Sequence, residues 1–435
     1  MTTSCIGLDF GTTNSAVALA TPDRRVQLAR FPLFGQARDA ARSVVFFDPE
    51  DLVDGWVGRP PAVVGNKAIE RYIDCDGEGR FIQSTKSWLA SRGFDATDVF
   101  GKRVTLQELI ALVVSDLRWA VEQQLGGMTP KIVAGRPVHF ARADDAADDA
   151  FAEGRLREAL ALAGFTDISF VFEPVGAAWH YESRLDRDEL VLIGDFGGGT
   201  SDFTLIRVGP GVRAGGEQAR KDAVLGTDGV GLAGDAFDAA IIRNVVAPLL
   251  GRESEQRGAM GSATFPLPGW VFVHLERWHQ LSMLKTPASL RRLRRMLSQA
   301  VEPELFGGLV HLVEDDLGLQ LYRAIEQAKM ELSRQDHTRL VFVDDELVID
   351  APITRSEFES WIAPELGEVE QAVDRLLRAT GIGQDAVDRV FLTGGSSFVP
   401  AVRGIFSDRF GEHRIASGDE LTSVAQGLAL HGLDG

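Results

Sequence analysis

The sequence predicts an α/β fold made of two similar halves, and three observations lead to this class. A pattern of strand, tight turn and strand around Asp-Phe-Gly occurs twice, as CIGLDFGTTNSAVALA (5–20) and LVLIGDFGGGTSDFTLIRV (190–208). Both stretches are typical of β-hairpins with Gly-rich turns. Strand-like and helix-like patterns alternate between the two copies. A repeat over this distance predicts a duplicated fold with two lobes.

The elements between the copies follow from local patterns. KIVAGRPVHF (131–140) indicates a strand that runs into a proline turn, and the Ala-, Asp- and Glu-rich stretch 141–164 indicates a helix. DISFVFEP (167–174) indicates a strand that ends at Glu173. Pro174 then fits the first turn of the next helix, where its missing N–H does no harm.

The second half ends differently from the first. Residues 239–335 are largely helical in pattern, and the Gly-, Pro- and Ser-containing stretch 251–269 indicates a loop. Residues 388–406 indicate a strand, a Gly-Gly turn and a helix, and the tail 420–430 indicates an amphipathic helix. The arginines at 291, 292, 294 and 295 are typical of a solvated helix face.

Composition narrows the class of protein. The chain has 435 residues, 45% apolar and 25% charged, which is an ordinary globular balance. A net charge of −18 argues against nucleic acid and membrane surfaces as partners. Cys5 and Cys75 cannot form a disulfide framework or a four-ligand zinc site, and the apolar run around Cys5 predicts a buried thiol. With no signal peptide or membrane span in the pattern, we expect a cytoplasmic protein.

Two Gly/Thr turns that face each other suit a nucleoside triphosphate. Backbone N–H groups of tight turns form anion sites, and glycine lets the backbone approach phosphate. One cradle would consist of Gly11, Thr12, Thr13 and Asn14, and the other of Gly197, Gly198, Gly199 and Thr200. Asp9 and Asp195, at the strand ends, would supply oxygen ligands for Mg²⁺. The alternative is that both are ordinary hairpin turns.

Three further places could contribute chemistry, and each has a plain structural alternative. Gly394, Gly395 and Ser396 follow a strand and suit a phosphate or ribose contact, or form a simple strand-to-helix turn. Lys86 could partner a γ-phosphate, although an isolated lysine is more typical of the surface. Glu173 could orient a water nucleophile or a metal, or only stabilise the helix dipole.

Together these pieces resemble the ATPase domain of the 70-kDa heat-shock chaperone (DnaK-type) family, from about residue 6 to residue 430. The motifs stand in the family's order: GLDFGTTNS (7–15), EPVGAAWHYE (173–182), GDFGGGTSD (194–202), AGDAFD (233–238), EQAKMELS (326–333) and FLTGGSSFVP (391–400). The resemblance implies a two-lobed actin-like ATPase fold built from duplicated ribonuclease-H-like domains. It implies one lobe over 1–189 plus 416–435 and a second over 190–415, with an enlarged, mostly helical subdomain at 239–325.

The resemblance also implies roles for individual residues. Asp9, Asp195 and Asp202 take the positions around magnesium and potassium ions, with most ligation through water. Lys86 takes the position of the catalytic lysine, Glu173 that of the acid beside the attacking water, and Pro137 that of a relay between lobes. The phosphate positions fall on Thr12, Thr13, Asn14 and 197–200, with Thr200 also in the catalytic set. The remaining nucleotide contacts fall on Gly234, Asp235, Glu326, Lys329, Ser333, Gly394, Gly395, Ser396 and Phe398.

The chain departs from the family pattern at informative places. Met330 and Phe398 stand where the family has the two arginines that sandwich adenine, so the purine preference stays open. The residues before Glu173 (SFVF) lack the arginine that receives J-domain co-chaperones, which argues against that partnership. The long segment with Trp270 and Trp278 resembles short bacterial relatives described as chaperones. Because the chain ends just after the ATPase region, we expect no peptide-binding domain.

These observations predict a Mg²⁺-dependent, slow ATPase that binds ATP and ADP and signals its nucleotide state to an unidentified protein partner. Two alternatives from other classes stay open. The first is a nucleotide-gated scaffold or filament-forming protein with little hydrolysis, which nucleotide-dependent pelleting would support. The second is a small-molecule kinase of the same superfamily, which stimulation of ADP release by a sugar or polyol would support. The intact phosphate turns argue against a nucleotide-free interaction protein.

Overall fold

A computed structural model describes most of the chain. The described residues are 4–51, 61–75, 78–126, 129–182, 185–215, 219, 222–258, 263–277, 281, 284–417 and 422–433. Within these ranges, no helix combines the length and the apolar character that crossing a membrane requires.

The strands are numbered in chain order. They are β1 Cys5–Phe10, β2 Asn14–Ala20, β3 Val26–Leu28, β4 Phe31–Leu33, β5 Gln36–Arg38, β6 Ala41–Arg42, β7 Val44–Phe47, β8 Val63–Val64, β9 Arg80–Gln83, β10 Ala96–Val99, β11 Lys102–Thr105, β12 Lys131–Arg136, β13 Asp167–Phe172, β14 Glu189–Phe196, β15 Ser201–Val208, β16 Val224–Val230, β17 Glu255–Arg257, β18 Thr264–Pro266, β19 His337–Val343, β20 Val348–Thr354, β21 Arg389–Thr393 and β22 Ile415–Ser417.

The α-helices follow the same order. They are α1 Asn66–Asp74, α2 Leu106–Leu125, α3 Ala146–Leu162, α4 Glu173–Glu182, α5 Pro210–Ala214, α6 Gly234–Ile241, α7 Ala247–Leu249, α8 Trp270–Glu276, α9 Pro287–Gln299, α10 Pro303–Glu314, α11 Gly318–Leu332, α12 Arg355–Trp361, α13 Ala363–Thr380, α14 Pro400–Phe410 and α15 Ser423–His431. A π-helical turn, Ile242–Val246, joins α6 to α7.

Two sheets share one topology. The first has the strand order β3-β2-β1-β12-β13 and the second has β16-β15-β14-β21-β22. In each, the first three strands in sequence pair antiparallel, and two later strands add in parallel beside the first. Both predicted hairpins are therefore present and occupy the same place in their sheets. This agreement confirms the duplicated α/β fold that the repeat predicted, and it matches the actin-like ATPase fold that the resemblance implied.

The helix α15 packs closely against α4 and β1, and glycines stand at the points of contact. A Cβ atom at Gly427 would lie 1.8 Å from the carbonyl oxygen of Gly176, and a Cβ atom at Gly7 would lie 2.1 Å from that of Ala425. The rings of Trp179 and His431 stack between the two helices with centroids 3.9 Å apart. The surrounding core includes residues of both sheets. Only residues without side chains allow these backbones to approach so closely.

The cysteine prediction holds for Cys5. Its thiol is fully buried in the same core. Burial raises the pKa of the Cys5 thiol to about 11, so the thiolate form needed for reactivity is suppressed.

The chain divides into two compact units, which are described separately. The first consists of residues 1–234, 366–397 and 402–435, and it holds both large sheets, the first of six strands (β6 also pairs with β2) and the second of five. The second consists of 235–365 and 398–401 and is largely helical, as the sequence predicts, with the hairpins β17–β18 and β19–β20 added. The exact boundaries of the two predicted lobes stay a prediction.

Three local predictions need correction. The helix predicted over 141–164 spans only Ala146–Leu162, because the Asp145 side chain accepts hydrogen bonds from the backbone N–H groups that begin the helix. The stretch 251–269 is not all loop, since Glu255–Arg257 pairs with Thr264–Pro266. The tail helix α15 is not amphipathic but buried along most of its length, because it packs on both α4 and β1.

Gly427→Ala is expected to destabilise the first unit by more than about 3 kcal/mol, because the added methyl would overlap the backbone of α4. Gly404→Ala in α14 is the matched control, since a Cβ atom there meets nothing within 4 Å and alanine favours a helix. Urea denaturation followed by circular dichroism measures both. Equal stability of the two variants would contradict the close helix packing.

Candidate functional site

A buried ion pair joins Lys86 to Glu173. Lys86 Nζ donates to Glu173 Oε1 over 2.6 Å, and the two residues are only 8% and 6% exposed. Lys86 lies in a 3₁₀ turn, Thr85–Trp88, which follows Ser84 in a left-handed conformation (φ 53°). Glu173 begins α4 directly after β13. The lysine is therefore buried and paired rather than on the surface.

Three aspartates lie around this pair. Asp9 is near the end of β1, while Asp195 and Asp202 stand directly opposite each other on β14 and β15. The backbone N–H of Val138 donates to Asp202 Oδ1 over 2.9 Å. Carboxylates that face each other across a strand pair repel, so this arrangement is unfavourable without a nearby positive charge.

Burial and mutual repulsion shift the acidity of these groups. Burial, followed by the charge of Glu173, raises the pKa of Asp9 to about 7 and that of Asp202 to about 7, while Lys86 opposes both shifts. The same two causes, with Asp9 and Asp202 added, raise the pKa of Asp195 well above its usual range. Burial alone would lower the pKa of Lys86, but the carboxylates outweigh it and the pKa is raised. The site thus has more carboxyl groups than its single lysine can neutralise, which favours a further cation.

The donor set fits a magnesium ion held largely through water. Mg²⁺ uses oxygen ligands, keeps several waters and takes one or two carboxylates. Among the residues described here, no three Asp, Glu, His or Cys side chains converge closely enough to ligate one ion directly.

The two predicted phosphate turns lie close together. A Cβ atom on Gly199 would lie 3.8 Å from the Thr12 hydroxyl oxygen and 3.7 Å from that of Ser87. Thr13 holds the first turn in place by accepting from the backbone N–H of Ser43 over 2.9 Å. A Cβ atom at Gly11 would lie 2.2 Å from the Asn14 carbonyl oxygen, so this tight turn requires glycine.

The second turn is closed by its own backbone. The N–H of Gly197 donates to the carbonyl of Thr200 over 3.0 Å, and the N–H of Gly234 donates to the carbonyl of Gly197 over 3.3 Å. Gly198 and Gly199 at its tip are partly exposed. The Thr200 side chain hydrogen-bonds Asp202 and favours its ionised form. Both turns therefore present small residues and backbone to the space beside Lys86.

The third predicted turn stands beside the second. Thr393 of β21 pairs with Asp195 of β14, and Gly394 follows with φ +84°. A Cβ atom at Gly394 would lie 2.1 Å from the Phe196 carbonyl oxygen, so the turn packs on the end of β14. Gly395 and the buried Ser396 then begin a 3₁₀ turn. The turn needs glycine for packing as well as for any ligand contact.

The other predicted nucleotide contacts belong to the second unit. Lys329 Nζ pairs with the buried Asp238 over 2.8 Å, and Ser333 Oγ donates to the Lys329 carbonyl over 3.1 Å. Burial is the largest cause that raises the pKa of Asp235, to about 6, and the negative charges of Asp238 and Glu326 add to the rise. The positive charge of Lys329 lowers this pKa in part. These polar residues form one cluster.

The two departures from the family pattern also lie in the second unit. Met330 and Phe398 are 51% and 53% exposed. Trp278, by contrast, falls outside the described residues. Exposed apolar side chains at 330 and 398 are free to pack against a flat ring.

Several residues of the site escaped sequence reasoning. Ser87 lies beside Gly199, and Val138 supplies the N–H to Asp202. Gly135 and Gly229 leave room for carboxyl side chains, since Cβ atoms there would lie 2.8 Å from Glu173 Cγ and from Asp202 Oδ1. The only signal was adjacency: Ser87 follows Lys86 and Val138 follows Pro137.

A cavity of about 350 Å³ lies beside the ends of β12 and β13. Its lining includes Val138, Phe172 and Thr227, together with the polar side chains of Arg136 and His139. Val138 lines this cavity and also donates its backbone N–H to Asp202. Phe172 lines the cavity too and is the residue directly before Glu173.

The two sheets of matching topology are those of the actin-like ATPase fold. The family model described as Hsp70 protein matches residues 5–254 and 310–433. The chain therefore belongs to the Hsp70 family, as the motifs predicted. Residues 255–309 lie outside the match.

The chain is similar to curated chaperones throughout its length. It is 27% identical over 430 residues to a protein named Chaperone protein DnaK from Thermosipho africanus. It is 24% identical to proteins of the same name from Thermosipho melanesiensis and Deinococcus proteolyticus. Each comparison covers 98% of this chain and 58% of the relative, so the chain spans a little over half of their length.

Asp235→Asn is expected to change how stability depends on pH. The folded-state pKa of about 6 lies above the usual 3.8, so the unfolded chain releases this proton first as pH rises. Wild-type stability is full below the unfolded pKa, falls by about 3 kcal/mol relative to the variant as pH rises from about 4 to about 6, and then levels off. Urea denaturation of both proteins between pH 4 and 7.5 measures this. Parallel pH profiles would show that Asp235 is not buried among negative charges.

Proposed function

We propose that the chain binds ATP and ADP with Mg²⁺ and hydrolyses ATP slowly, as a switch read by a protein partner. The observation that carries this proposal is the buried Lys86–Glu173 pair beside two closely spaced Gly/Thr turns. Phosphate is the ligand that such turns suit, because their N–H groups and small residues leave room for an anion.

Each side chain has a task that its surroundings support. Lys86, buried and held protonated, would stabilise negative charge that develops on the γ-phosphoryl group. Glu173, with Asp202 nearby, would orient the attacking water. Asp9 and Asp195 would hold the hydrated Mg²⁺, and a potassium ion could share this region. The metal would neutralise phosphate charge when bound.

The second unit would supply the purine and ribose contacts. The cluster of Asp235, Glu326, Lys329 and Ser333 offers hydrogen-bond donors and acceptors. Met330 and Phe398 would pack against the base through apolar and ring surface rather than through positive charge. Gly394, Gly395 and Ser396 of the first unit would contact phosphate or ribose.

The output would be a change of state rather than bulk product. Catalysis here would rest on positioning and electrostatics, and a partner protein would respond to which nucleotide is bound. The sequence before Glu173 argues against a J-domain co-chaperone as that partner.

Asp9→Ala should weaken Mg-ADP and Mg-ATP binding at least about tenfold, because one of the ion's carboxylates is lost. Isothermal titration calorimetry with Mg²⁺ present, and then with a chelator, measures the loss. Asp167→Ala, an exposed position on β13, is the matched control and should bind as wild type does. Absence of saturable binding by wild type at millimolar nucleotide would refute the proposal.

Glu173→Gln should keep nucleotide binding but lower the hydrolysis rate by roughly 10²-fold, because glutamine cannot act as a base towards water. Single-turnover release of phosphate measures the rate, and calorimetry measures binding on the same sample. Glu158→Gln, an exposed change on α3, controls for the loss of a negative charge. Tight binding by wild type with no turnover would favour the scaffold alternative instead.

A further inference from the structure

The segment outside the family match carries a local excess of positive charge. Residues 255–309 contain seven Lys or Arg and four Asp or Glu, although the whole chain has a net charge of −18. Four of the seven basic residues are exposed on α9: Arg291, Arg292, Arg294 and Arg295. Leu293 and Met296 anchor the opposite side of this helix by burial. We call this exposed side of α9 the basic face.

Two arginines of the basic face are already engaged and two are not. Arg294 pairs with Glu314 over 2.6 Å, and the Arg292 guanidinium lies over the Trp270 ring, 4.4 Å from its centroid. Arg291 and Arg295 have no carboxylate partner among the described residues. They stand four positions apart, so they are neighbours on the helix surface.

The hairpin β19–β20 offers the opposite chemistry. Its side chains alternate between buried and exposed, and Val341, Val343 and Val348 on the outer face are 51%, 65% and 65% exposed. Val343 pairs directly with Val348, and the turn between the strands holds Asp344, Asp345 and Glu346. We call this surface the acidic hairpin end. A two-stranded sheet with exposed valines is a surface that proteins usually cover.

The two surfaces flank the last turn of the same helix. Glu314 of α10 pairs with Arg294, and His311, one turn earlier, pairs with Asp344 over 2.6 Å. Residues three positions apart are neighbours on a helix surface, so the basic face and the acidic hairpin end both contact the same side of α10. Opposite charges placed side by side in this way form a self-complementary patch.

We propose that the second unit binds a second copy of this chain through this patch. In a two-fold arrangement, each surface of one copy meets the complementary surface of the other, as an isologous interface requires. The basic face of one copy lies on the acidic hairpin end of its partner, and the reverse contact forms at the same time. The valines are covered, and Arg291 and Arg295 gain carboxylate partners.

The size of the patch predicts a weak dimer. Strands of seven residues span ~24 Å and a helix of thirteen spans ~20 Å, so the two surfaces together offer roughly 450 Å² per copy. The total for two copies, about 900 Å², lies below the range of stable specific interfaces, so we expect weak association. At 0.15 M salt the repulsion between the acidic copies is screened beyond ~8 Å, while contact pairs persist.

Sedimentation velocity of the full chain between 5 and 500 µM tests the proposal. Wild type should shift from monomer to dimer with rising concentration. Arg291→Glu/Arg295→Glu should remain monomeric because like charges meet in both contacts, and Asp345→Lys/Glu346→Lys should do so for the same reason. An equimolar mixture of the two variants should dimerise again, because both contacts in the mixed pair are complementary.

Matched controls separate this contact from general charge effects. Arg25→Glu/Arg38→Glu makes the same change in net charge at exposed positions of the first unit and should dimerise as wild type does. If a reversal variant fails to fold, Arg291→Gln/Arg295→Gln should still weaken association at least tenfold. A wild type that stays monomeric at 500 µM would overturn the proposal, and so would a mixture that shows no rescue. Retention of a monomeric wild type on heparin through Arg291 and Arg295 would assign the basic face to a polyanion instead.

Discussion

The buried pair of Lys86 and Glu173 is the contact on which the candidate site depends. A charge this deep is tolerated only with a partner, and removing either member would leave the other uncompensated at a cost of several kcal/mol. The pair also joins a turn that follows β9 to the start of α4. It therefore fixes the position of the two side chains and supplies the one positive charge that moderates the three neighbouring aspartates.

Glycine residues, which have no side chain, create space around this pair. Gly135 and Gly229 leave room for the carboxyl groups of Glu173 and Asp202, and Gly394 lets its turn lie against the end of β14. Gly427 has the same effect between helices, because it lets α15 lie directly against α4. Charge and close packing are thus coupled, because a bulkier residue at 135 or 229 would displace the buried carboxyl group of Glu173 or Asp202.

The second unit distributes its charged groups differently. Its polar cluster sets Lys329 among the carboxyl groups of Asp235, Asp238 and Glu326, whereas its outer surface carries a basic and an acidic patch that both contact α10. The basic patch belongs to a segment that the family match does not include. The residues that we propose bind nucleotide all lie where the family model matches, and the segment outside that match contributes exposed surface.

The sequence alone determined the fold class and the chemical candidates. The repeated Asp-Phe-Gly hairpins led to the duplicated sheet topology, because alternation and Gly-rich turns are local properties that the sequence states directly. The same local reasoning offered the two Gly/Thr turns as a phosphate site and Glu173 as a candidate, whereas it placed Lys86 on the surface and only the family resemblance implied a role for that lysine. It mistook α15 for an amphipathic helix, because a helix covered on two sides has no polar face to read.

Only the tertiary structure decided which distant residues meet. The Val138 N–H reaches Asp202, Ser87 lies beside Gly199, and β17 pairs with β18 inside a stretch predicted as loop. The first two contacts have no periodic signature because each joins parts of the chain that are far apart in sequence. The strands β17 and β18 are near each other, but at three residues each they are too short to show alternation. The shifted pKa values have the same origin, because burial and neighbouring charge exist only once the chain has folded.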